Sequence, residues 1–104
     1  MIPTATRTIR STTVLPFEPE RAAALGSKHA MFHLAGLAAE HNDETAEALW
    51  NRRAATAGHT QAMVNVALAC ETNGDSPEAI RWYMGAAAQG SDDARYNLAL
   101  LHGE

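Results

Sequence analysis

Ala62–Asp93 reads AMVNVALACETNGDSPEAIRWYMGAAAQGSDD, and the chain says it nearly three times. Thirty-two residues earlier, Ala30–Gln61 reads AMFHLAGLAAEHNDETAEALWNRRAATAGHTQ, and 32 residues later Ala94 opens ARYNLALLHGE. Self-similarity at a fixed period of 20–50 residues marks a stacked repeat, in which each unit buries its apolar face only against its neighbours. The repeat therefore outranks any single-segment reading.

Working outward, three glycines keep the same step. Gly26, Gly58 and Gly90 each follow an alanine-rich run, Ala22-Ala23, Ala54-Ala55 and Ala86-Ala87. Glycine just beyond a helix reaches the left-handed conformation without a Cβ clash, so each is expected to end a helix. Ser27, His59 or Thr60, and Ser91 are then N-cap candidates. Midway through each unit stand Asn42 and Gly74, followed by Asp43-Glu44 and Asp75-Ser76. In the second copy Ser76-Pro77-Glu78 is read as a hydroxyl cap, proline at the first helical position and an acid in the first turn. The expected elements are six helices, at about 18–25, 28–41, 44–57, 60–73, 76–89 and 92–102. Turns of two or three residues make neighbours antiparallel. Residues 17–104 form the helical domain: a half repeat 17–29, repeats 30–61 and 62–93, and a half repeat 94–104.

Residues 1–16, MIPTATRTIRSTTVLP, carry Pro3, Pro16 and no helical period, and read as a flexible N-terminal leader. A transit-peptide-like start and a short strand at Thr8–Val14 are the alternatives.

The motifs A-x-x-N-[VL]-A-L at Ala62–Leu68 and Ala94–Leu100, G-D-x-x-E-A-I-x-W-Y at Gly74–Tyr83 and A-A-A-Q-G at Ala86–Gly90 resemble the Sel1-like branch of the tetratricopeptide superfamily. The resemblance implies an all-α fold, a short right-handed α-solenoid of antiparallel helix pairs, used to bind peptides on the face of its first helices. The first copy departs from the pattern: Asn51 replaces the tyrosine after Trp50, and His33 stands where Asn65 and Asn97 do.

Composition narrows the function. Of 12 acids and 8 bases, only Arg7 and Arg10 fall in residues 1–17, so the rest of the chain holds 6 bases against 12 acids. That balance opposes the basic face that nucleic acids require. Cys70 is the only cysteine, which excludes an internal disulfide. No apolar run reaches the length of a membrane span. A cytoplasmic protein, with no nucleic-acid or membrane partner, is expected.

Trp50 and Trp82 share one repeat position and are expected to pack between helices. Met31, Met63, Leu34, Val66, Leu98, Ala35, Ala67 and Ala99 follow the i, i+3, i+4 rule and form the expected inner stripe, with Cys70 one turn further on. His29 and His33 stand four apart, a metal-compatible spacing with no matching third ligand, and His41, His59 and His102 fall near helix or chain ends, where a positive charge suits the dipole or a loop. No nucleophile, base and orienting group converge, so neither enzyme activity nor a cofactor or metal is expected.

The expected interaction surface is the row His33, Asn65 and Asn97, one per first helix. Asparagine both donates and accepts, so such a ladder suits the backbone or terminal carboxylate of an extended peptide. Flanking it are Phe32, Val64 and Tyr96, then Gly36, Leu68 and Leu100, then Glu40 and Thr72. The alternative use of the ladder is to satisfy polar groups between helices. A further expectation is self-association through the last helix, with Leu98 and Leu101 as its open apolar surface.

Overall fold

The computed structural model of the chain describes residues 19–102. Six α-helices follow one another: α1 (Pro19–Ala24), α2 (Lys28–Glu40), α3 (Glu44–Thr56), α4 (Thr60–Thr72), α5 (Ser76–Ala88) and α6 (Asp92–Leu101). There is no strand among the described residues. The leader at 1–16, with its alternatives, lies outside them.

The turns explain the regularity. Positive φ occurs at Gly26, Asn42, Gly58, Gly74 and Gly90, at successive intervals of 16 residues. Sixteen is half the sequence period, so a helix and its turn are the structural unit. At Gly58 the amide donates to the Ala55 carbonyl and the next amide, His59, reaches back to Ala54, both at 2.9 Å. This pair of bonds satisfies two carbonyls that the helix end would otherwise orphan. The same pair recurs at Gly26, Asn42, Gly74 and Gly90. Asn42 sits at φ 58°, inside the left-handed well that asparagine tolerates, whereas Gly58 sits at 97°, where a Cβ would be strained.

The residue that closes one helix also opens the next. Ser27, Asp43, His59, Asp75 and Ser91 accept from the backbone N–H three residues on. This differs from the reading of Ser76 as the cap of α5. Asp75 takes that role, its carboxylate accepting from the Glu78 amide at 3.2 Å, while Ser76 is already helical. A carboxylate at a helix N-terminus meets both the open N–H groups and the positive end of the dipole, so it outcompetes the hydroxyl one residue later.

Packing runs between sequence neighbours, α1 on α2, α2 on α3 and onward to α5 on α6. Alanine sets the spacing. Ala30, Ala62 and Ala94, equivalent by repeat, are all fully buried, as are Ala54 and Ala86. Small side chains there let backbones approach closely, and Tyr83, also fully buried, fills the remaining volume. Trp50 and Trp82 are half-buried against the cores, each with an arginine over its ring: Arg53 at 5.0 Å and Arg52 at 6.0 Å. Both tryptophans thus pack between helices, as expected.

Three assignments change. Val64, placed beside the ladder on spacing alone, is 3% exposed and belongs to the core. Its helix is enclosed by α3 and α5, while the repeat-equivalent Tyr96 on α6 is 67% exposed. Ala99, placed in the inner stripe, is exposed, because among the described residues only α5 packs firmly on α6. Leu101, expected to lie open, packs against the core instead, and so does Leu98, which keeps its place in the inner stripe rather than on the open surface of the last helix. Cys70 is buried and free; burial first, and then the Glu78 carboxylate, push its thiol pKa upward. A protonated buried thiol is a small apolar filler.

Candidate interaction surface

The first helices α2, α4 and α6 carry every residue of the expected surface, and the structure divides them among different settings. On α2, Phe32, His33, Gly36 and Glu40 line one recess of about 360 Å³, completed by His29, Leu37 and His59. On α4, Asn65 and Leu68 enter a larger cleft of about 430 Å³ between α3 and α4. Thr72 turns its hydroxyl back to the Leu68 carbonyl at 3.0 Å. On α6, Tyr96 and Leu100 are exposed and Asn97 is half-buried. Leu68, Tyr96 and Leu100 are three of the few large apolar side chains that the fold leaves open, at 44, 67 and 54% exposure. Gly36, Leu68 and Leu100 share one repeat position, so the open face follows the repeat.

Asn65 does more than stand in a row. Its Nδ2 donates to Oδ1 of Asn51 on α3 at 3.2 Å, and its own Oδ1 accepts from Gln61 Nε2 at 3.3 Å. Asn51 is 8% exposed, the one strongly buried polar residue among those described. Part of the ladder is therefore spent between helices. Asn51, Glu44 and Glu47, which line the same cleft, were not among the expected site residues. The available signal was the break in the Trp-Tyr pair: Tyr83 and Asn51 hold one repeat position, yet one is a buried ring and the other a buried amide.

The recess on α2 is built around His59, and of the two cap candidates His59 and Thr60 it is His59 that caps α4. Its Nδ1 accepts from the Ala62 amide at 3.2 Å, at the positive end of the α4 dipole, where a positive charge would not suit it. Phe32 stacks on its ring at a centroid distance of 4.2 Å, and His29 meets it edge-on at 5.4 Å. Burial, and then His29 and Lys28, hold its pKa below the usual 6.5. A protonated ring would lose the acceptor and place a positive charge at the positive end of α4. Because the unfolded chain takes up the proton first, stability is full above pH 6.5 and declines as pH falls below it toward the depressed value. Thermal unfolding followed between pH 8 and 5 should show this loss. His59→Ser, which installs the cap used at Ser27 and Ser91, should remove that component. An unchanged pH profile in the serine variant would show that the cap is not titrating.

His41 and His102, by contrast, do sit at helix C-termini, and His41 Nδ1 pairs with the Leu37 carbonyl at 2.8 Å. Among the described residues no three His, Cys, Asp or Glu side chains are grouped to hold a metal, and no helix is long and apolar enough to cross a membrane. Comparison with protein-family models, with curated proteins and with solved structures returns no match.

Proposed function

We propose that the chain is a non-catalytic interaction module, a short Sel1-like or tetratricopeptide-like α-solenoid that holds an extended peptide or partner segment against α2, α4 and α6. The observation that carries this reading is the exposure of Leu68 and Leu100 in repeat register, with Tyr96 exposed on α6, beside the half-buried amides of Asn65 and Asn97. Apolar groups that a fold leaves open beside polar groups able to bond a peptide backbone are the ingredients of an interface centre. Sequential packing of six short helices, each set firmly against the next, supports the solenoid.

Affinity capture with quantitative mass spectrometry tests the reading. Leu68→Ser combined with Tyr96→Ser should leave helicity unchanged, both side chains being exposed, and reduce partner recovery by about tenfold or more. Equal recovery with the double variant would exclude this face. A second reading is self-association through Tyr96 and Leu100 of α6. Light scattering that reports a monomer at every concentration would remove it.

A further inference from the structure

The cleft between α3 and α4 contains a chain of amides that stops one bond short. Gln61 donates to Asn65 at 3.3 Å and Asn65 donates to Asn51 at 3.2 Å, but the Asn51 Nδ2 group has no acceptor among the described residues. Asn51 is more than nine-tenths buried and lines the cleft. A buried amide donor without an acceptor costs free energy comparable to a lost hydrogen bond. The direction of the chain identifies what is missing. Every link passes a donor forward, so the final partner is an acceptor such as a peptide carbonyl.

The wall of the cleft adds a second requirement. Glu44 and Glu47 line it from α3, and neither is paired with a cation among the described residues. Arg52, the only base lining the cleft, stands over the Trp82 ring and lies 3.7 Å from Glu78. Glu78 is itself bonded by the Trp82 indole at 2.9 Å and by Arg81; the indole first, then Arg81 and Arg52, hold its carboxyl below the usual range. The unanswered charge of the cleft is negative.

We propose that this cleft takes an extended protein segment bearing lysine or arginine, with a backbone carbonyl on Asn51 Nδ2 and the cation against Glu44 and Glu47. Leu68 lies beside it as the apolar contact. The assignment rests on the interaction-module reading and specifies its partner. Complementary charge at such a rim steers encounter and rejects acidic competitors more than it adds affinity.

The test uses the whole chain and three short, end-blocked peptides that alternate alanine with lysine, glutamate or glutamine. The lysine peptide should bind most tightly at low salt, at least about fivefold ahead of the glutamate peptide. It should also shift the Asn51 side-chain amide resonances. Glu44→Gln with Glu47→Gln should weaken the lysine peptide by about three- to tenfold, and the exposed position of Glu44 keeps the fold intact. Equal or better binding of the glutamate peptide, an unmoved Asn51 amide, or an indifferent double variant would overturn the proposal. Binding of the glutamine peptide on α2, α4 or α6 without lysine preference would overturn it alone. If no peptide moves any resonance on these helices, the interaction-module reading falls with it.

Discussion

Tyr83→Ala is expected to destabilise the fold by about 3–5 kcal/mol, the range for removing a buried aromatic ring from a core that cannot collapse around the loss. Tyr83 has no exposed surface, and it is the largest side chain so enclosed. Its hydroxyl donates to Glu71 at 2.5 Å, tying α5 to α4; burial first, and Glu71 second, raise its pKa. With domains of this kind stable by about 5–15 kcal/mol in total, the alanine variant should lose a large part of its helical signal at 25 °C. Tyr83→Phe separates the two contributions. It keeps the ring and loses only the bond to a partly solvated carboxylate, so a cost near 1 kcal/mol is expected. Urea denaturation followed by circular dichroism gives both values. A loss below about 1 kcal/mol for the alanine variant would contradict a ring locked between α4 and α5.

Ala62→Leu should cost about 1–3 kcal/mol, although leucine is an excellent helix former. Ala62 is fully buried near the start of α4, within the same core cluster as Ala54, Ala86 and Ala94. The added carbons would have to push a neighbouring helix aside, and the shift would propagate because each helix is positioned chiefly by the ones beside it. Ala39→Leu is the control, since Ala39 is an exposed residue of α2 and the change there should stay within about 0.5 kcal/mol. Equal midpoints for the two variants would show that the Ala30, Ala62 and Ala94 row does not set helix spacing.

Particular residues separate what could be read in advance from what could not. Glycine at 26, 58, 74 and 90 and asparagine at 42 announce helix ends because the property involved, access to positive φ, belongs to the residue itself. Caps at Ser27 and Ser91 are local in the same sense: acceptor and donor lie three residues apart. The six helices and their bounds were legible for this reason. Exposure was not. Phe32, Val64 and Tyr96 share one repeat position, yet they are half-buried, buried and exposed, since each depends on which helices flank its own.

The interaction surface divides along the same line. Leu68, Tyr96 and Leu100, expected beside the ladder, are exposed, whereas Val64, expected there on the same spacing, is core. Asn51, Glu44 and Glu47 were missed because their significance arises across the gap between α3 and α4, where the amide chain from Gln61 ends. The cap role of His59 was open to reading, but the packing of Phe32 and His29 on its ring was not, because both come from another helix.

By itself, then, the sequence determined the count of helices, their length and their stops, since all of these follow from interactions within about five residues. Only the tertiary structure decided that Val64 is core and Ala99 surface, that Asn51 is buried with an unmet donor, and that Phe32 and His29 pack on the His59 ring. Burial and polar partnership are properties of neighbours from other helices, and no period in one dimension specifies how closely those neighbours approach.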